Sequence, residues 1–254
     1  MFVACSTLCF GRYPLEETLR VIAELHFSKC DVAIHEHGRQ LKPSQVAEDV
    51  GAAAARLRYG PGLTPVAFSV DIDAPTPEEY TRQFKAICRL ARISAVPVIT
   101  IKPASQDVAL DDEMQRLKGL VQHATTEGVV LTVSTLIGTH TGTPEQAMEL
   151  CEKVPGLGLT LDPSHYTVGP NQGKNYDDVF PFVQHLHLRD TGRGPNQFQV
   201  RIGQGEVEYG RIISQLERFH YNRALSVDIR DIPDMPFAME PEVRKLKYLL
   251  ESLV

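Results

Sequence analysis

Carboxylates and imidazoles recur at strand-like spacing in the second half of this sequence. In LTLDPSHY, Asp162 closes an alternating run and His165 follows three residues later, so a carboxylate and an imidazole can converge on one point. In HLHLRD, His185 and His187 share one strand face and Asp190 opens the next loop; in LSVDIR, Asp228 ends a third run. These groups can carry protons near neutral pH, and they are ligand types suited to zinc, manganese or related divalent ions, although neither spacing alone defines a metal site. Taken singly, a carboxylate at a strand end often caps the following helix and a lone histidine is often a packing residue. The functional reading rests on their coming from three strands at the same end.

Something must bring those ends together. Short β-branched and apolar runs alternate with longer segments of helical period at intervals of about 30 residues, the pattern of repeated βα units. Eight strands are expected, at Phe2 to Leu8, Cys30 to His35, Pro65 to Asp71, Pro97 to Lys102, Val129 to Leu136, Leu157 to Asp162, Val183 to Leu188 and Ala224 to Ile229. Helix starts are marked by Pro14 with Glu16 and Glu17, Thr76-Pro77 with Glu78 and Glu79, and Thr143-Pro144 with Glu145. One helix is expected after Pro43 through Ala55 to Arg58, and another from Pro241 to Leu250. The glycine-bearing stretches at Gly60 to Gly62 and Gly169 to Gly173 are short enough to be loops. The expectation is α/β, a single-domain (β/α)8 TIM barrel over residues 1–254, with its site at the C-terminal ends of the strands.

The last strands sharpen this. Val129, Leu131 and Val133 alternate with Val130, Thr132 and Ser134, Leu159 and Leu161 with Thr160 and Asp162, and Leu225 and Val227 with Ser226 and Asp228. One face therefore meets the helices and the other points inward. That stacks Thr132, Thr160, His185 and Ser226 beneath Ser134, Asp162, His187 and Asp228, with Ser69, Asp71, Thr100, Lys102 and His35 added by earlier strands. So polar an interior is costly unless its groups are paired or hold a ligand.

Composition excludes some partners. With 32 acidic against 26 basic residues and a net charge of -6, no global field attracts nucleic acid or an anionic membrane, so a small captured molecule fits better. Five scattered cysteines suit reduced thiols, and with no apolar run near the roughly 20 residues of a membrane span the expected location is cytoplasmic. A homo-oligomer is compatible with a barrel.

LTLDPSHY, HLHLRD and RIGQGEVEYGRIISQL together resemble the xylose-isomerase-like barrels, which include sugar and sugar-phosphate isomerases and epimerases, some dehydratases and endonuclease IV. The resemblance covers nearly the whole chain. It implies a divalent metal, one of Mn, Zn, Mg or Co, held by glutamate, aspartate, histidine and glutamate from strands five to eight. Position by position these fall on Ser134, Asp162, His187 and Asp228, so both glutamates are absent. Asp228 keeps the charge on a shorter arm; Ser134 offers only a neutral hydroxyl. Glu36, His35, His140 and Asp71 are the nearest sequence candidates to substitute.

The implied activity is isomerisation or epimerisation of a sugar or sugar phosphate through a metal-stabilised enediolate. Asp162, His187 and Asp228 would hold the ion, and His165, Asp162 and Asp228 would serve the proton transfer. Arg201, Lys102, His35 and Ser134 would bind a carbohydrate substrate. Gly203 and Gly205 either expose N–H groups to a phosphate or form a plain turn. The alternatives are a non-catalytic polyol-binding relative that has lost the metal, for which Ser134 is the reason, and a dehydratase using the same enediolate. A nuclease fits the acidic balance worst.

Overall fold

The computed structural model describes residues 1–58, 62–194 and 197–254; of the loop expected at Gly60 to Gly62, Gly60 and Pro61 lie outside the described residues. The strands are β1 (Phe2–Ser6), β2 (Lys29–His35), β3 (Thr64–Asp71), β4 (Val98–Ile101), β5 (Val130–Ser134), β6 (Gly158–Leu161), β7 (Val183–Leu188) and β8 (Ala224–Val227). Each pairs in parallel with the next, and β8 pairs with β1, so the sheet closes as a (β/α)8 barrel. The expected strands are all present, some a residue or more shorter where their last residues turn into the mouth loops.

The helices are α1 (Leu15–Glu24), α2 (Pro43–Glu48), α3 (Val50–Arg58), α4 (Pro77–Ile93), α5 (Leu110–Thr126), α6 (Pro144–Lys153), the single turn α7 (Ser164–Thr167), α8 (Tyr209–Arg218) and α9 (Met239–Glu251). Thr76 and Thr143 act as N-caps, accepting from the backbone of Glu79 and Gln146, as their sequences predict. The one helix expected after Pro43 is instead two. Asp49 is extended between them, and its carboxylate accepts the Ala52 N–H, an N-cap that restarts the chain as α3. No long helix bridges β6 and β7; α7 and two short 3-10 turns make that crossover. No helix among the described residues is long and apolar enough to cross a membrane, and all five cysteines are buried and unpaired.

Leu159, Leu161, Leu186, Leu188, Leu225 and Val227 are fully buried in the hydrophobic core, each contributing about 1.5–3 kcal/mol by burial. The inward face is polar. On the β4–β6 side Thr100, Thr132 and Thr160 hydrogen-bond one another through their hydroxyls at 2.7–3.0 Å. On the opposite side the charged residues gather. Register irregularities fall between Cys30 and Asp31 and between Leu159 and Thr160, immediately before two inward side chains. Such breaks re-aim the residue that follows.

Candidate functional site

The deeper charged group is Asp31 on β2 with His185 and His187 on β7. Both imidazole Nε2 atoms lie 2.8 Å from Asp31 Oδ2, and all three residues are buried. Ser226 Oγ is 3.2 Å from His185 Nε2. Burial opposes ionisation of Asp31, but the hydrogen bonds from the two histidines hold its carboxyl well below the usual carboxylate range. The histidines part company. At His185 burial prevails and lowers the pKa, while at His187 burial is outweighed by Asp228 and Asp31, and the pKa is raised. Asp31 Oδ1 has no hydrogen-bond partner.

Above this group, at the C-terminal ends, β7 and β8 finish alike: an inward residue, an aliphatic one, an arginine and an aspartate (His187-Leu188-Arg189-Asp190 and Asp228-Ile229-Arg230-Asp231). Period-two alternation returns each arginine to the inner face. Arg189 Nη2 donates to Asp162 Oδ2 at 2.6 Å and its Nε and Nη2 reach Ser164 Oγ. Burial works against the Asp162 carboxylate, yet Arg189, His165 and the Ser164 hydrogen bond lower its pKa to about 2. Arg230 Nη2 comes within 2.7 Å of Asp228 Oδ2, an ion pair without hydrogen-bond alignment. Asp228, 0% exposed, is held by this contact at Oδ2, while its Oδ1 and Arg230 Nε have no hydrogen-bond partner.

The following aspartates turn outward and pin loops. Asp190 accepts N–H groups from Gly203, Gly205 and Thr191, and a Cβ at Gly205 would run into its carboxylate. The GQG segment is thus a turn built round Asp190, and its N–H groups are spent there rather than offered to a phosphate. Asp231 takes the backbone and guanidinium of Arg12, tying the β1 and β8 loops together.

His165, on α7, has Nε2 3.8 Å from Asp162 Oδ2, a buried Nδ1 without a partner, and its ring 5.2 Å from Phe198. Burial lowers its pKa despite Asp162, which favours the neutral ring. Lys102 pairs with Asp71 at 2.6 Å on the exposed rim, and His35, at the end of β2, is lowered to about 4, chiefly by burial. Ser134 Oγ donates to the Ile101 carbonyl at 3.4 Å. Arg201 is exposed and donates to the Pro236 carbonyl. Of the other sequence candidates, Glu36 binds the Ser44 N–H and hydroxyl, and His140 Nε2 lies 2.9 Å from the Val108 carbonyl.

The sequence reading placed a metal on Asp162, His187 and Asp228. Here Asp162 and Asp228 each face a guanidinium, and the strand-five position is an uncharged serine, so this set does not suit a divalent cation. Among the described residues, the group whose donor atoms all lie within 4.8 Å of one another is Asp31, His185 and His187. Two imidazoles and a carboxylate form a donor set that zinc or manganese accepts, and the orphaned Asp31 Oδ1 is consistent with it. Asp31, Arg189 and Arg230 were missed from sequence. Alternation puts all three on the inner face, since Asp31 shares the face of His35 and each arginine lies two residues past an inward one, but it does not supply their partners.

A family model described as xylose isomerase-like TIM barrel matches residues 19–250. An uncharacterised protein of Methanocaldococcus jannaschii is 21% identical over 250 residues, covering 90% of this chain and 84% of that one. The structure of a xylose isomerase-like TIM barrel protein from Mycobacterium smegmatis in complex with magnesium is similar with a TM-score of 0.76 at 17% identity, over 99% of this chain and 97% of that one. The structure of 3-keto-D-glucoside 4-epimerase from E. coli gives 0.73 at 14% identity, over 99% of each chain. Further sugar 3-epimerases and a probable 3-DHS dehydratase share the fold. At these identities the structural likeness establishes the fold alone.

Proposed function

Since the chain belongs to the xylose isomerase-like TIM barrel family, we propose that it moves a proton beside the carbonyl group of a sugar or sugar phosphate, as an isomerase or epimerase. The observation that carries this reading is Asp228, a fully buried carboxylate held by Arg230 at Oδ2 and left without a hydrogen-bond partner at Oδ1. Buried polar groups are normally satisfied, so an orphaned one at a barrel mouth calls for a donor from outside, such as a substrate hydroxyl.

The side chains present suit enediolate chemistry. Asp228 or neutral His165 takes a proton from the carbon next to the carbonyl, and the electron pair moves onto the carbonyl oxygen. Arg189 and Arg230 lie near the negative charge that develops there. Return of the proton to the opposite face of the same carbon epimerises; return to the former carbonyl carbon, with the neighbouring hydroxyl proton passing to the former carbonyl oxygen, isomerises. Lys102, His35, Ser134 and Arg201 are assigned to the substrate's remaining oxygens or phosphate. A divalent ion would find donors in Asp31, His185 and His187, and would supply positive charge from beneath the mouth. Sugar epimerases of the same fold support a carbohydrate substrate.

The test is hydrogen exchange in D2O with a panel of ketoses, ketose phosphates and keto-glycosides, followed by proton NMR. Deuterium should enter beside the carbonyl of at least one compound, and His165→Gln or Asp228→Asn should slow its entry about 100-fold or more. Saturable binding with no exchange would instead establish a second reading, a polyol-binding relative without catalysis. That reading is favoured by the uncharged Ser134 on β5. A dehydratase would reveal itself by exchange accompanied by loss of water from the substrate.

A further inference from the structure

Arg189 and Arg230 occupy an unusual electrostatic position. Asp162 and Asp228, on β6 and β8, bring two negative charges to a buried mouth, and the two guanidiniums bring two positive ones. Among these four side chains the balance is zero. A divalent ion bound to these carboxylates would have to displace both guanidiniums from them, and the buried Arg189 would be left without its counter-ion. Guanidinium stays protonated at every working pH, so this compensation is permanent.

The two arginines differ in what they have left to give. Arg189 is 7% exposed, and its Nε and Nη2 are committed to Ser164 and Asp162. Arg230 has a side chain 33% exposed, an unpartnered Nε, and an ion pair to Oδ2 that leaves Asp228 Oδ1 without a partner. One pair is closed; the other has open donors and acceptors side by side.

We propose that the cationic centre of this barrel mouth is the guanidinium pair rather than a divalent ion, with Arg230 as the group that meets substrate oxygen and Arg189 as a positioning residue that fixes Asp162. The Arg230–Asp228 pair then offers a donor and an acceptor together, which is what the adjacent oxygens of a hydroxy-carbonyl compound require. The assignment rests on the mouth being the working site, but not on which reaction occurs there.

Manganese is the probe that tests it. Crystals of the full chain soaked in Mn2+ should show no anomalous peak within bonding distance of Asp162 or Asp228; a peak there overturns the proposal, and one at Asp31, His185 and His187 does not. In calorimetry of the metal-stripped protein, Asp228→Asn should remove no Mn2+ site, and loss of a site would overturn the assignment. Arg230→Met should gain at least tenfold in Mn2+ affinity, a gain abolished by adding Asp228→Asn. A folded Arg230→Met protein without that gain would show that Arg230 does not stand in the place of a cation. None of these readouts uses a turnover, so a protein inactive on every sugar tested would remain informative.

Discussion

The two charged groups in the barrel sit one layer apart and are built differently. Below, one carboxylate, Asp31, receives two imidazoles on the same oxygen and leaves one acceptor over. Above, two carboxylates face two guanidiniums, and Asp228, Arg230 and His165 all retain buried atoms without hydrogen bonds. The lower group joins β2 to β7 across the interior and turns its polarity inward upon itself. The upper group lies at the C-terminal ends of β6 to β8 and leaves donors and acceptors unspent. On the proposed reading, the lower layer chiefly fastens the barrel and the upper one carries the chemistry.

The sharpest way to break that division is Asp228→Asn, which keeps the shape of the side chain and removes its charge. Deuterium exchange into the substrate should fall by about 10²–10⁴-fold. Urea unfolding of the same variant should move less than it does for any removal of Asp31, and the reverse order would undo the comparison. Asp31→Ala strips the carboxylate from two buried imidazoles and should cost about 3–5 kcal/mol in the same unfolding measurement, as removal of one partner from a buried pair does. A cost under about 1 kcal/mol would mean that the lower group is not a fastening.

A smaller effect tests whether the two aspartates that follow the mouth arginines are architectural. Asp190→Ala orphans the N–H groups of Gly203, Gly205 and Thr191 and should cost about 1–3 kcal/mol, measured by urea unfolding. Faster amide hydrogen exchange confined to residues 201–206 would place the loss in that loop, whereas uniform exchange would not.

The mildest prediction concerns pH. Burial lowers His35 from 6.5 to about 4, so between those values the unfolded chain takes up a proton that the folded one refuses. Stability should therefore fall as pH drops through that window, with a slope of at most about 1.4 kcal/mol per pH unit from this residue. His35→Gln should flatten that part of the curve. An unchanged slope would mean that the rim of β2 is wetter than its burial implies.

Much of this was legible in the residues. The eight strands, the caps at Thr76 and Thr143, and the inward faces of β5 to β8 follow from alternation, helix-start chemistry and a repeat of about 30 residues, all of which are local in the chain. The position of Asp162, His165, His187 and Asp228 at the C-terminal end of the barrel follows for the same reason. The break at Asp49 escaped because a continuous run of good helix formers outweighed a single N-cap when read without the fold.

Asp31 and the arginines show the limit. A charged residue at the start of a strand, or just past the end of one, reads as solvated unless something across the barrel receives it, and the partner of Asp31 lies 154 residues away. Sequence determined where each side chain falls along its own strand and on which face. Only closure of the sheet decided which charges meet, because that depends on the register between strands, on the irregularities before Asp31 and Thr160, and on the meeting of β8 with β1. That closure brought guanidiniums to the carboxylates where the sequence had led one to expect a metal.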